Sequence, residues 1–198
     1  RFVLLDVFTT VPFGGNQLAV FPDARGIPEA SLLAIAREFN FSETTFCYPP
    51  ANLAHSRRVR IFTPGGEIPF AGHPTIGTAI VLHALGDRGA ATGGDGQLVL
   101  EEGVGPVPVT VRAGTDGTAF ARFSVAKLPE IGPTPPTRAA LADILSLDAE
   151  DVLGAPNAPQ AISCGIPFLL VPLRTVGAVS RARVRLERWE ATLASSWA

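Results

Sequence analysis

Several residue types that commonly stabilise or equip a protein are scarce in this sequence of 198 residues. It contains no methionine, one tyrosine, two cysteines and three histidines, and only 17% of its residues are charged. The two cysteines, Cys47 and Cys164, do not amount to the disulfide framework of a small secreted domain, and no apolar signal segment begins at Arg1. We therefore expect both thiols to lie in a reducing cytoplasm.

Motifs for metals and cofactors are also lacking. Neither His55 nor His83 has a cysteine or carboxylate at metal-ligand spacing, so the sequence predicts no metal site. It has no phosphate-binding glycine-lysine loop, no dinucleotide fingerprint and no Gly-x-Ser-x-Gly elbow. We expect chemistry that needs no cofactor, with His83 in the core and His55 on the surface.

An excess of charge of either sign is absent. The formal net charge is -2, from 16 basic and 18 acidic residues, which offers no field to concentrate nucleic acid or anionic lipid. The longest apolar stretches, such as 166–173, are broken by proline and fall far below the ~20 residues of a membrane span. The arginine-rich run 181–188 is expected to be a solvated helix face. A small-molecule partner is therefore expected.

Apolar residues, by contrast, make up 46% of the chain, which is enough to bury a substantial core. The length of 198 residues allows one large domain or two small ones. The alternation and composition of the first half predict helices at 28–39 and 74–85, and strands at 2–8, 17–21, 44–48, 56–63, 97–101, 107–111 and 119–125. The helix from Pro74 is apolar on nearly every side, which is typical of a buried helix. Strands are thus expected to surround one buried helix.

The second half looks like a partial lobe. Four prolines within 127–137 favour a linker, and we place the boundary near 115–137, with lobes at 1–114 and 115–198. Beyond it the sequence predicts helices at 138–145 and 184–195 and strands at 161–163 and 168–173. Nothing there matches the buried helix of the first lobe.

Glu43 is the first candidate for chemistry. It lies between a predicted helix end and a strand, flanked by Phe41 and Phe46. Desolvation by these rings would favour the neutral carboxyl, raise its pKa and let it both give and take a proton near neutral pH. A capping or loop glutamate is the alternative that the local residues leave open.

The segment 70–77 is the second candidate, because a glycine turn feeds the buried helix there. Pro74 suits the first helical position, and the free amides around 72–76, together with the helix dipole, would hold a carboxylate or a developing enolate. His73 would then sit at the mouth of an anion site, or else serve as a helix cap.

Cys164 is a third candidate, as a thiolate nucleophile. No histidine is near it in sequence, and apolar neighbours would raise its pKa. We therefore favour a buried structural thiol.

Ordered motifs along the chain resemble the phenazine-biosynthesis PhzF-like family. They are Asp6-Val7-Phe8 with Gly15-Asn16-Gln17-Leu18-Ala19-Val20-Phe21, Asn40-Phe41-Ser42-Glu43-Thr44-Thr45-Phe46, and Arg60-Ile61-Phe62-Thr63-Pro64 with Glu67-Ile68-Pro69-Phe70-Ala71-Gly72-His73-Pro74. The resemblance is strong over residues 2 to about 112 and weaker through 168–173. It implies an α+β fold of the diaminopimelate-epimerase type, in which each of two lobes is a curled sheet around a central helix.

The resemblance also implies roles for the candidate residues. Glu43 takes the family's catalytic glutamate position and would move a proton between carbons of the substrate, with His73 assisting. Residues on motif positions, together with the amides at the helix start, would bind a small anionic metabolite: Asn16, Ser42, Gly72, Pro74 and Thr75. Ala71 stands where true diaminopimelate epimerases have a cysteine, which argues against two-thiol racemisation.

One part of the family pattern is missing from this sequence. The family's second lobe carries an acidic motif of the Glu-Asp-Pro-Ala-Thr-Gly-Ser type that faces the catalytic glutamate, and the chain ends at Ala198 without it. We expect either a fragment of a longer protein or a truncated homologue. The leading hypothesis is an acid/base isomerase, and the alternative is a binding protein that has lost half of the site. Exposed second-lobe surface would favour a homodimer.

Overall fold

A computed structural model describes residues 1–86, 96–114, 118–125, 128–164 and 166–193. The chain divides into two compact units, Arg1–Lys127 and Leu128–Ala198. Within the described ranges, no helix is long and apolar enough to cross a membrane.

The first unit contains eight strands and two helices among its described residues. The strands are β1 (Val3–Val7), β2 (Asn16–Phe21), β3 (Glu43–Tyr48), β4 (Arg57–Thr63), β5 (Gly66–Ile68), β6 (Gln97–Glu102), β7 (Gly105–Ala113) and β8 (Ala119–Phe123). The helices are α1 (Glu29–Phe39) and α2 (Gly72–Ala84). The predicted strands and helices are confirmed with shifted ends, and the sequence missed only the short β5, which forms a hairpin with β4.

All eight strands form one sheet in the order β1-β2-β3-β4-β6-β7-β8, with β5 paired to β4. The pairs β2 with β3 and β4 with β6 are parallel, and the other pairs are antiparallel. The parallel pair β2 and β3 is connected through α1, as a parallel crossover requires. Consequently β2 and β3 both begin at the same edge of the sheet.

Helix α2 lies inside the curl of this sheet. It contacts strands from both ends of the strand order, β1 and β2 on one side and β7 and β8 on the other. Gly77 allows this close approach, because a Cβ there would lie 2.6 Å from Leu18 and 2.8 Å from Val7. The buried hydroxyls of Thr45 and Thr78 join the helix to β3 at 2.9 Å. The predicted α+β fold, a curled sheet around a buried helix, is confirmed for this unit.

Helix α1 covers the opposite face of the sheet. Its buried Leu32 and Ala36 pack with Phe21, Phe46 and Phe62, and the rings of Phe21 and Phe46 stack at 4.9 Å. Because side chains alternate along a strand, β3 sends Phe46 towards α1 and Thr45 towards α2. One face of β3 therefore packs against α1, and the other packs against α2.

The second unit is smaller. Its elements are β9 (Glu130–Ile131), α3 (Arg138–Leu145), a 3₁₀ turn (Ala149–Asp151), β10 (Gln160–Ser163), β11 (Pro167–Leu170), α4 (Val176–Arg181) and α5 (Leu186–Leu193). The three strands form a sheet in the order β11-β10-β9. The division between the units lies within the boundary region predicted at 115–137, but later than the 114/115 limit of the predicted lobes, because β8 pairs with β7 and so belongs to the first unit.

The helix predicted at 184–195 is confirmed as α5, and residues 194 and 195 lie outside the described ranges. The short helix α4 before it was not predicted. The arginines of 181–188 are exposed to solvent, as predicted, although they are distributed over α4, α5 and the residues between them instead of one helix. Three of them make ion pairs at the surface of the second unit. Arg181 pairs with Asp151 at 3.0 Å, while Arg185 and Arg188 pair with Asp143 at 2.7 and 3.2 Å.

Candidate active site

The start of α2 meets the starts of β2 and β3 at one edge of the first unit. The parallel register sets Leu18 of β2 opposite Glu43, the first residue of β3. Asn16 is the first residue of β2, and His73 lies in the first turn of α2. The topology therefore brings together three polar residues that are distant in sequence.

His73 and Glu43 form the buried end of this cluster. Nε2 of His73 lies 3.3 Å from Oε2 of Glu43, and the two side chains are only 8% and 16% exposed. Within the part of the chain that the structure describes, neither of these two atoms has a hydrogen-bond partner. Buried polar atoms are normally satisfied, so two unsatisfied atoms that face each other are a candidate reactive pair.

Asn16 and Ser42 extend the cluster outward. The Ser42 hydroxyl donates to Oδ1 of Asn16 at 2.9 Å, and Nδ2 of Asn16 lies 3.1 Å from Nδ1 of His73. If Nδ2 of Asn16 donates in this contact, Nδ1 of the neutral ring accepts and the ring proton is on Nε2. The chain of contacts then presents an N–H to the Glu43 carboxylate.

The surroundings of His73 favour its neutral form. Burial lowers its pKa from the ordinary 6.5, against the opposing effects of the Glu43 charge and the backbone of Gln17. A neutral imidazole has one donor and one acceptor, which is what the Asn16 contact and the facing carboxylate require. The ring is therefore an N–H donor to its surroundings at neutral pH.

The start of α2 differs in detail from the prediction. The N-terminal cap is Ala71, and the helix begins at Gly72 instead of Pro74. The Thr75 amide already donates to the Ala71 carbonyl at 3.3 Å, and Pro74 has no amide hydrogen. The predicted anion site at 72–76 is therefore reduced to the amides of Gly72 and His73, which the helix itself cannot satisfy.

Pro74 and Thr75, expected to bind substrate, are both buried. The Thr75 hydroxyl lies 2.8 Å from the Ala71 carbonyl and 2.8 Å from Oε1 of Glu102, so it is engaged within the protein. The structure thus gathers Asn16, Ser42, Glu43, Gly72 and His73 around one point and turns Thr75 away from it. Sequence reasoning missed Glu102 because only the pairing of β6 brings it under α2.

The predicted desolvation of Glu43 by aromatic neighbours is wrong. Phe46 lies on the α1 face of β3, and Phe41 packs against Phe39 at 5.7 Å between ring centroids. A strand alternates its faces, so Phe46 cannot share a face with Glu43 three residues earlier. His73 takes the place beside Glu43 that the rings were expected to occupy.

The other candidates from the sequence serve the scaffold or lie apart. His55 is half-buried, not on the open surface, and its Nδ1 lies 2.9 Å from Oε1 of Glu101. His83 is half-buried at the end of α2, and Cys164 is half-buried in the second unit, where a buried thiol was expected. No group of three potential metal-ligating side chains occurs among the described residues.

Comparison with known families bears on this arrangement. The sequence profile of the family described as phenazine biosynthesis-like protein matches residues 5–197 of this chain. The chain belongs to this family. The resemblance seen in the sequence motifs is confirmed, and it extends over the second unit as well.

Two relatives of this chain have isomerase names. An uncharacterised isomerase of Mesorhizobium japonicum is 44% identical over the whole chain, which spans 65% of that protein. A trans-2,3-dihydro-3-hydroxyanthranilate isomerase of Pseudomonas aeruginosa is 44% identical over 61% of the chain and 40% of its own length. The chain therefore spans about two thirds of the Mesorhizobium relative.

Solved structures give the same family and fold. A structure described as a predicted epimerase from Pseudomonas aeruginosa matches 97% of this phenazine biosynthesis-like protein and 66% of its own chain, with TM-score 0.81 and 34% identity. A PhzF-family protein from Bacillus anthracis matches 98% of the chain and 62% of its own, with TM-score 0.80 and 25% identity. A probable proline racemase from Agrobacterium radiobacter, 15% identical over 91% of the chain and 53% of its own with TM-score 0.52, shares the fold alone.

Proposed function

We propose that this protein is a cofactor-independent isomerase or epimerase that moves a proton on a small carboxylate metabolite, with Glu43 as the proton-transferring residue. One observation carries the proposal: Oε2 of Glu43 and Nε2 of His73 face each other at 3.3 Å, buried and without hydrogen bonds in the described structure. A purely structural pair would be expected to close into a hydrogen bond. This pair keeps both atoms available to a third group.

The proposed reaction has two proton transfers. The Glu43 carboxylate takes a proton from a substrate C–H bond, and the electron pair of that bond moves into the adjacent conjugated system. The same carboxyl then returns the proton to a carbon, so that atoms and charge balance without an oxidant or reductant. The N–H of His73 stabilises the carboxylate form of Glu43 between transfers. General acid/base catalysis of this type contributes about 100- to 10,000-fold.

The start of α2 supplies the complementary charge. The amides of Gly72 and His73 have no intrahelical acceptor, and the helix dipole adds partial positive charge at this end. An anionic group on the substrate, or negative charge that develops as the proton leaves, would be stabilised there. Asn16 and Ser42 hold the ring of His73 and are expected to line the same site.

The names of relatives support this reaction class. The two relatives reported above are named isomerases, and the Pseudomonas aeruginosa structure is described as a predicted epimerase. The Pseudomonas aeruginosa relative is named for trans-2,3-dihydro-3-hydroxyanthranilate, a cyclic amino acid. We infer a small anionic carboxylate of that kind as the substrate class here.

The test compares wild-type protein with Glu43→Gln in deuterated water, with trans-2,3-dihydro-3-hydroxyanthranilate as the first probe and other small cyclic and amino-acid carboxylates after it. Wild type is expected to convert one of them and place deuterium on the product carbon. Glu43→Gln should reduce turnover at least about 100-fold, because an amide cannot accept the proton. Glu101→Gln, which changes a glutamate outside the site, is the matched control. Unchanged turnover in Glu43→Gln would contradict the proposal.

Two further expectations accompany this function. We propose a cytoplasmic location, which the small number of cysteines, two in 198 residues, supports. A homodimer stays a prediction. Cell fractionation tests the first, and sedimentation of the purified protein tests the second.

A further inference from the structure

Glu102, the last residue of β6, is a buried carboxyl that the proposed reaction does not use. It is 8% exposed, and Oε2 is buried without a hydrogen-bond partner in the described residues. Its neighbour Glu101 points to the other face of the strand, where it meets His55. Glu102 therefore faces α2, where its polar contact among the described residues is the hydroxyl of Thr75 at 2.8 Å.

The hydrogen bonds of Thr75 define which form of Glu102 fits. The Thr75 oxygen lies 2.8 Å from two acceptors, Oε1 of Glu102 and the carbonyl of Ala71. A hydroxyl has one hydrogen and cannot donate to both. If the carboxyl of Glu102 is protonated, it donates to the Thr75 oxygen, and Thr75 donates to Ala71. Each contact then has one hydrogen.

The electrostatic surroundings favour that protonated form. Burial raises the pKa of Glu102 to about 8, with the Thr75 hydroxyl opposing it in part. The nearest titratable residue along α2, His73, has its pKa set by burial, Glu43 and Gln17, while Glu101 is paired on the opposite face. The carboxyl is therefore neutral at pH 7, behind the first turn of α2.

The contact bears on the start of the helix that carries the site. The Ala71 carbonyl, at the N-terminal cap, accepts from the Thr75 amide at 3.3 Å, which is long for an N–H···O bond, and from the Thr75 hydroxyl at 2.8 Å. The hydroxyl is thus the shorter of the two contacts. Gly103 adds a direct contact, since a Cβ there would lie 2.7 Å from Cα of Pro69 in the segment that leads into α2.

We propose that Glu102 is a positioning residue: its neutral carboxyl donates to Thr75, keeps the Thr75 hydroxyl on the Ala71 carbonyl, and so orients the amides of Gly72 and His73. The inference rests on the proposed function only in assigning these amides to the anionic group of the substrate. When Glu102 ionises, the carboxylate takes the Thr75 hydrogen and Ala71 keeps only the long amide contact. Anion binding at the helix start then weakens.

The experiment follows the backbone amides of Gly72 and His73 by NMR between pH 6 and 10, so it needs no substrate. In wild type both resonances are expected to shift with a midpoint near 8, the pKa of Glu102. In Glu102→Gln the side-chain amide still donates to Thr75 but cannot ionise, so the midpoint should disappear while the pH 7 positions stay close to wild type. Glu101→Gln should titrate like wild type.

A second readout uses the enzyme reaction once a substrate is found. For wild type, KM is expected to rise about 2- to 10-fold between pH 7 and 9, the range for losing one hydrogen bond, with a smaller change in kcat. Thr75→Val should show the raised KM already at pH 7, and Thr75→Ser, which keeps the hydroxyl, should restore it. A structural role alone would not give this split.

Two results would overturn the inference. One is that the Gly72 and His73 amides do not respond between pH 7 and 9. The other is that they respond equally in wild type and Glu102→Gln. If the amides titrate as expected but no carboxylate is turned over, the proposed function fails while the role of Glu102 stands.

Discussion

The first unit contains two histidine–glutamate pairs that use the same side chains in opposite ways. His55 and Glu101 make a 2.9 Å hydrogen bond, and Glu101 also accepts from the amides of Ala51 and Asn52. His73 and Glu43 lie 3.3 Å apart with neither facing atom hydrogen-bonded in the described structure. The first pair joins the loop at 51–55 to β6 by hydrogen bonds. In the second pair, the facing atoms stay without a hydrogen bond in the described structure.

Burial does not explain this difference. The side chains of Glu101 and Glu43 are 15% and 16% exposed, so both carboxylates lie at similar depth. At Glu101 burial would raise the pKa, but two backbone amides and the His55 ring outweigh it and lower the pKa. Satisfaction of hydrogen bonds, more than burial or residue type, therefore separates a structural pair from a candidate reactive one.

The largest expected effect on kcat comes from replacing each of the two histidines with glutamine in separate variants. His73→Gln is expected to lower kcat about 100-fold or more, because the N–H beside Glu43 is lost or misplaced. The matched variant His55→Gln should leave kcat within twofold, since that ring is not at the site. Steady-state kinetics with the probe converted by wild type measure both. Equal losses would show that the pairs do not differ in role.

The free energy of unfolding should respond in the opposite order, more to a change in the His55–Glu101 pair than to one in the His73–Glu43 pair. Glu101→Gln is expected to lower the free energy of unfolding by about 1–3 kcal/mol, because a neutral amide serves the two backbone donors and His55 less well. Glu43→Gln changes a carboxylate whose Oε2 has no hydrogen bond in the described structure, and it should leave stability unchanged or slightly higher. Urea unfolding of both variants at pH 7 compares them. A larger loss in Glu43→Gln would make that pair structural.

A smaller effect on activity is expected from moving the ring proton of His73 from Nε2 to Nδ1. In Asn16→Asp the carboxylate can only accept, so it draws a proton onto Nδ1 and raises the pKa of His73. Activity at pH 7 should fall about tenfold, the size expected for losing one or two oriented hydrogen bonds. Nitrogen-15 NMR of the imidazole reports the tautomer directly. Ser42→Ala, which removes only the outer hydroxyl, is the control and should leave the ring tautomer unchanged.

The smallest effects are in the pH dependence of stability. The pKa of His73 is lowered below 6.5, so the contribution of this residue to stability falls as pH decreases below 6.5. The raised pKa of Glu102 gives an opposite slope in this range, so the effect of His73 is measured as the difference between wild type and His73→Gln. The pKa of Glu101 is lowered below 4.5, so its contribution is present above that value and is lost at lower pH. His73→Gln should remove the His73 contribution just below 6.5, and Glu101→Gln the Glu101 contribution below 4.5. Urea unfolding at stepped pH separates these windows.

Local patterns in the sequence predicted much of the first unit. The all-round apolar pattern from Pro74 identified the buried helix, and ordered motifs placed Asn16, Ser42, Glu43 and His73 in one site. Alternation along β3 could also have shown that Phe46 faces away from Glu43. Such information is local, or follows from resemblance, and needs no knowledge of strand pairing.

The remaining features depend on tertiary structure. The pairing of His55 with Glu101 spans 46 positions in sequence, and it requires β6 to lie beside β4. Glu102 becomes a buried acid for the same reason, because the sheet directs one of two adjacent glutamates inward. Alternation along 97–102 places Glu102 on the same face as Leu98 and Leu100, but only the tertiary fold shows that this face lies against α2.

The close seat of α2 limits how this protein could acquire new specificity. A one-residue insertion in the helix would turn everything after it by about 100° and advance it about 1.5 Å. Between Gly72 and Gly77 such a change would break the tight fit on Leu18 and the Thr45–Thr78 contact. Insertions and deletions in this part of α2 would therefore be removed by selection, because they would disrupt folding. New substrates would instead have to be accommodated by substitutions at exposed positions of the site such as Ser42, while the axis of the helix stays unchanged.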